Sequence, residues 1–242
     1  MDGLTAESDV VVVLAHGAWT DGSSWSKVIV GLRSAGVRAV AAPLPLTSVA
    51  DDVAALDQML SRIGGPVVLA AHAYAGAIIA SLKDEKAAAL VYIAALAPDE
   101  GETVGDVFLR VKPDPRAPVL SPDSRGLLWL PREAFATAFA QNATTQEQEL
   151  LAATQRPLVA TAIGVPVGHP GWKDLPTWYL VAEEDRMISA ENQRFMAERM
   201  EARIRTVQAD HVPMITAPTA VVDIILEAVR EVESTMKENS HD

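Results

Sequence analysis

The 242-residue sequence predicts an α/β fold built on a mostly parallel, doubly wound sheet. Three observations carry that expectation. Apolar β-type runs alternate with helical patterns from residue 10 to residue 95; a proline-rich stretch interrupts them; the alternation resumes at residue 177. The runs are continuously apolar rather than apolar at every second position, as strands covered on both faces require.

Each element follows from local chemistry. Residues 10–15, VVVVLA, form a first strand. HGAWTDGSSW then reads as a loop, with Ser23 or Ser24 as N-cap of a helix that ends before Gly36. Residues 37–41 form a second strand, and 48–63 a helix stopped by Gly64-Gly65. VVLAAHAYAGAIIA, residues 67–80, is strand, sharp turn and small-residue helix, and 88–95 is a fourth strand. Nine of the fifteen prolines lie in 98–173, with helical pieces near 132–141 and 145–154, so this stretch reads as a mostly helical insertion. Strands follow at 177–182 and 203–209, and helices at 189–200 and 217–236, before a frayed tail KENSHD. The organisation is then a core of 1–97 plus 174–242 and an inserted section of 98–173.

Composition narrows the function. With 32 acidic against 20 basic residues, a net charge of −12 and no basic cluster, the chain repels phosphate backbones and anionic lipid, so neither nucleic acid nor membrane is expected as a partner. No cysteine is present, which excludes disulfides, thiolate zinc sites and a cysteine nucleophile. The N-terminal MDGLTAESDV has no basic region, and the apolar run after it is too short for a signal core; a cytoplasmic protein is expected. His169 and His241 have no partners at metal-ligand spacing, so no metal or other cofactor is expected.

Three features fall at the C-terminal ends of predicted strands, where an open α/β sheet binds its ligand. They are His16-Gly17-Ala18-Trp19, the turn at Ala73, and the late loops EEDRMI and ADHVPM, which bring Asp185 and His211 onto neighbouring loops. In order along the chain, LAHGAW..GSSW, HAYAG, EDRMI and DHVPM resemble the α/β-hydrolase superfamily. The similar branch is that of small serine esterases related to plant methylesterases and hydroxynitrile lyases, and the resemblance spans nearly the whole chain. It implies an α/β-hydrolase fold whose insertion is a helical cap (lid), and a small-molecule ligand such as an ester or other carbonyl compound; a homodimer is compatible with it.

Carried over residue by residue, the resemblance implies a nucleophile elbow on residues 71–75, with Ala73 at the nucleophile position, Asp185 as acid and His211 as base. It also implies an oxyanion hole from the backbone N–H groups of Ala18 and Tyr74, shaped by His16, Gly17 and Trp19. The departure is Ala73 itself. A methyl cannot attack a carbonyl, and losing such a serine costs about 10⁶ in turnover. Ser23, Ser24 and Ser26 lie beyond the oxyanion loop and read as caps or solvent-facing groups. Three readings of Ala73 stay open: a Ser-to-Ala form of a carboxylic-ester hydrolase, which the intact surroundings favour; a natural lyase or isomerase using His211 and Asp185 as general base without a covalent step; and a catalytically dead small-ligand-binding protein.

Plainer roles compete at several positions. Glu183 and Glu184 rival Asp185 as the orienting acid. His16 reads as shaping the oxyanion loop and His72 as packing beside the elbow. Trp19, Tyr74 and Trp129 line a pocket or pack, Trp25 anchors the first helix, and Glu227, Arg230, Glu231 and Glu233 form a solvated helix face.

Overall fold

The computed structural model describes residues 8–239. Strand β1 (Val11–Ala15) leads through a 3-10 turn at Gly22–Trp25 into helix α1 (Ser26–Ser34). The cap of this first helical turn is Asp21, not Ser23 or Ser24: Asp21 is extended and its carboxylate accepts the Ser23 N–H at 2.8 Å. Strand β2 (Arg38–Ala42), helix α2 (Val49–Leu60), strand β3 (Val67–His72), helix α3 (Ala75–Ser81) and strand β4 (Ala87–Ile93) follow in strict alternation. Ser48 caps α2 by accepting the Asp51 N–H.

Residues 98–173 then carry helix α4 (Val104–Leu109), strand β5 (Leu127–Leu128), helix α5 (Arg132–Ala134), helix α6 (Thr145–Thr154) and strand β6 (Leu158–Val159). Helix α4 starts at a Thr103–Asp106 capping box, and β5 and β6 form a two-residue antiparallel ladder. The helix expected over 132–141 breaks after Ala134 into a π turn, Phe135–Phe139, closed by the Ala140 N–H on the Phe135 carbonyl. The chain returns through strand β7 (Thr177–Ala182), helix α7 (Ala190–Arg199), strand β8 (Arg203–Val207), helix α8 (Pro213–Thr216) and helix α9 (Pro218–Asn239). Lys237, Glu238 and Asn239, expected to fray, are helical, while His241 lies outside the described residues.

The six long strands form one wholly parallel sheet in the order β2-β1-β3-β4-β7-β8. This is the mostly parallel, doubly wound sheet expected from the sequence. Period-two geometry splits each central strand between two cores. Val11, Val13 and Ala15 join the side covered by α2, α3 and α7, and Val12 and Leu14 join the side covered by α1 and α9. Both faces are therefore dry, and polar chemistry is left to the strand ends. Among the described residues, no helix is long and apolar enough to cross a membrane.

Helix α3 lies unusually close to the loop after β4. A methyl on Gly76 would overlap the Leu96 carbonyl oxygen and sit 3.0 Å from the Ala95 Cβ. The first listener to any change there is the elbow, because the Leu96 N–H donates to the Ala73 carbonyl at 2.9 Å. Gly76→Ala is expected to lower the unfolding free energy by about 1–3 kcal/mol, the usual range for overpacking, as read by urea denaturation.

Candidate active site

Among the described residues, four of the five non-glycine positions with positive φ sit just past the C-terminal ends of β1 to β4: Trp19 at 60°, Leu46 at 61°, Ala73 at 49° and Ala94 at 44°. Left-handed backbone costs an L-residue about 1–2 kcal/mol, so the strain is concentrated along one edge of the sheet. Ala73 holds it because its carbonyl accepts both the Gly76 and Leu96 N–H groups.

The loop after β1 presses onto this turn. A Cβ on Gly17 would lie 2.9 Å from the Ala73 Cβ and 2.9 Å from the His72 Nδ1, so only glycine allows the approach. Ala18 and Tyr74 are buried, and among the described residues neither N–H finds a backbone acceptor. His16 donates from Nδ1 to the Gly17 carbonyl at 3.0 Å, and Thr20 donates to the same oxygen. Trp19 is tied at both ends, its N–H to the Arg156 carbonyl and its indole N–H to the Leu128 carbonyl, each at 2.9 Å.

The loops after β7 and β8 bring the acid and imidazole together. His211 Nδ1 lies 2.8 Å from Asp185 Oδ2, and both side chains are essentially without solvent contact. A carboxylate oxygen only accepts, so Nδ1 carries the proton and Nε2 presents a lone pair. Asp185 accepts three further bonds, from the Met187 and Ile188 N–H groups and from Gln193 Nε2. The rival acids face elsewhere: Glu183 pairs with Arg194, and Glu184 accepts from Asn142.

His211 is held on two further sides. His72 donates from Nε2 to the His211 carbonyl at 2.6 Å with its ring 4.7 Å away, and Phe139 stands edge-on at 5.1 Å. Burial, and then the neighbouring His211, push the His72 pKa well below its ordinary value; burial also lowers that of His16. The Tyr74 ring turns away from Ala73 and donates to Asp52 at 2.8 Å, while Asp52 also accepts the Leu46 N–H. Burial raises the pKa of Asp52, and it raises that of the Tyr74 phenol.

Several residues lie apart from this cluster. Trp129 neither lines it nor packs in the core; it is 45% exposed and bonds Asp123. Ser23 and Ser24 bond Asp21, and Ser26 is exposed in the first turn of α1. Trp25 is buried against α1 as expected, and His169 is half exposed between Asp174 and Glu100. No group of acidic or histidine side chains among the described residues is arranged to hold a metal ion. Gln193, Asp52 and Phe139 were not anticipated. Asp52 carries a readable signal, because it is a polar residue on an otherwise apolar helical stripe; Gln193 shares its buried stripe with Asn192.

Comparison with known proteins gives a consistent frame. The family model described as "Alpha/beta hydrolase family" matches residues 12–224. Norfluorocurarine synthase 2 from Strychnos is 24% identical over 91% of this chain and 95% of its own. A methylesterase from Arabidopsis superposes with a TM-score of 0.76 at 16% identity, covering 91% of this chain and 99% of its own. Tomato methylketone synthase I, solved as a histidine-to-alanine variant with beta-ketoheptanoate, gives 0.77 at 17% identity over 95% and 100% of the two chains.

The buried imidazoles set a pH dependence. Unfolded, His72 takes up a proton near its ordinary 6.5; folded, it stays neutral well below that. The unfolded state therefore binds more protons in acid, and stability falls as pH drops below 6.5, by up to about 1.4 kcal/mol per pH unit for each such group. His72→Gln, whose amide can still donate to the His211 carbonyl, should remove one proton's worth of that slope between pH 6.5 and 5 in urea titrations. An unchanged slope would mean His72 does not stay neutral in the fold.

Proposed function

Because the chain belongs to the alpha/beta hydrolase family, we propose that it acts on a small carbonyl compound through His211 and Asp185 as a general base, without a covalent intermediate. The observation that carries this reading is the buried Asp185–His211 bond, with both Asp185 oxygens hydrogen-bonded and His211 tied through its carbonyl to His72, the residue before Ala73. Burying an ionisable pair is costly, and a complete set of partners is what makes it sustainable.

In this reading His211 Nε2 removes a proton from the carbon next to the carbonyl. The C–H electron pair becomes a carbon–carbon double bond, the carbonyl π pair moves onto oxygen, and the oxyanion that forms is held by the Ala18 and Tyr74 N–H groups. The proton on Nε2, or one from solvent exchanged with it, then returns to carbon as the carbonyl re-forms. Residues 98–173 act as the lid, with Trp19 and Phe139 closing the site over His211. The neighbour solved with beta-ketoheptanoate supports a carbonyl compound with an activated carbon as the substrate class.

A second reading, a carboxylic-ester hydrolase carrying alanine in place of serine, is favoured by the φ of 49° at Ala73, the strain of a nucleophile elbow without its nucleophile.

Two assays separate the readings. Deuterium uptake at the methyl of acetophenone in D₂O should be accelerated by the protein and should fall about 10²–10⁴-fold in His211→Ala. Equal rates in the two proteins would end the general-base proposal. Ala73→Ser, mixed with p-nitrophenyl acetate, should stay silent; an acyl burst and sustained turnover would favour the disabled esterase instead.

A further inference from the structure

Residues 137–142, the end of the π turn and the tight turn after it, touch both loops that carry the Asp185–His211 pair. Gln141 Nε2 donates to the Glu184 carbonyl at 2.8 Å. The Asn142 N–H donates to Asp210 Oδ2 at 2.8 Å, and the Asn142 side chain reaches Glu184 Oε2. Arg186, just past the acid, donates to the Thr137 carbonyl at 2.6 Å. Two consecutive residues thus grip the residue immediately before Asp185 and the residue immediately before His211.

Asp210 is the stronger of the two anchor points. It is fully buried, and besides the Asn142 N–H it accepts the Val212 N–H and the Thr216 hydroxyl. Its carboxylate therefore joins the loop of His211 to residues outside that loop. Gln141 does the same for the acid loop, and its Oε1 is buried without a partner. Parallel pairing joins β7 to β8 up to Ala182 and Val207, and the Glu183 and Glu184 N–H groups carry it on to the Val207 and Ala209 carbonyls. The stretch 137–142 braces the two loops from outside that pairing, at Glu184 and at Asp210.

We propose that Gln141 and Asp210 are positioning residues, and that the stretch 137–142 is a splint that sets the distance between Asp185 and His211. Neither touches a substrate; both act through the backbone of the residue that does the chemistry. The kinetic arm of the test rests on the general-base reading, and the spectroscopic arm does not.

The spectroscopic readout is the proton on His211 Nδ1, the one Asp185 accepts, observed downfield by ¹H NMR of the full chain. In Gln141→Leu and in Asp210→Asn this resonance should move upfield or broaden, and acetophenone exchange should fall about 10- to 100-fold, the cost of a small misplacement of a reacting group. Thr216→Val, which removes the bond from α8 to Asp210 but keeps the Asn142 grip, should leave the resonance in place. An unmoved resonance in both Gln141→Leu and Asp210→Asn overturns the splint, as does a Thr216→Val shift equal to that of Asp210→Asn. If Asp210→Asn does not fold, Gln141→Leu decides alone. A displaced resonance with unchanged exchange would sink the general-base reading and leave the splint standing.

Discussion

Everything at the strand ends depends on keeping one carboxylate and one imidazole together out of water. Taking two polar groups into a dry site is unfavourable unless each oxygen and nitrogen is matched, and leaving one member alone is worse than burying both. The structure meets that demand from several directions. Asp185 receives two backbone N–H groups from its own loop and an amide from α7, and His211 receives the carboxylate on one side and His72 at its carbonyl. The parallel sheet makes this affordable, because its two apolar faces carry the stability and leave the loops free to hold polar groups.

The same edge carries the backbone strain. Trp19, Leu46, Ala73 and Ala94 all adopt left-handed conformations that a side chain disfavours, and each follows a different strand. Their neighbours over-determine them. Ala73 is fixed through its carbonyl, Trp19 through its amide and indole, and Leu46 through its N–H on Asp52 and its carbonyl under Val159. Gly17 completes the arrangement by the one contact that no other residue could make.

Much of this architecture was legible in the sequence, and the misses have physical causes. The strands were readable because continuous β-branched runs such as VVVVLA have few other uses, and their order predicted the parallel sheet that is found. The loops carrying Ala18, Ala73, Asp185 and His211 were readable because each follows a strand end. Helix α4 was not located within the mostly helical insertion, although Thr103 and Asp106 announce its capping box, because six residues are too few to show a helical period. The β5–β6 ladder is too short to show any periodicity. Gln193, Asp52 and Phe139 matter only through what the fold brings beside them. Gln193 meets Asp185 across the loop before α7, Asp52 meets Tyr74 from another helix, and Phe139 reaches His211 from a π turn that residue propensities do not foretell.

The way the His211 ring is enclosed has a stereochemical consequence. Asp185 bonds one nitrogen of the imidazole, the His72 ring lies tilted beside it and Phe139 stands edge-on to it. A ring so confined meets a bound molecule from one side only. In a reaction of the proposed kind, hydrogen would leave and return on the same face, and a stereocentre formed there would emerge with a single handedness.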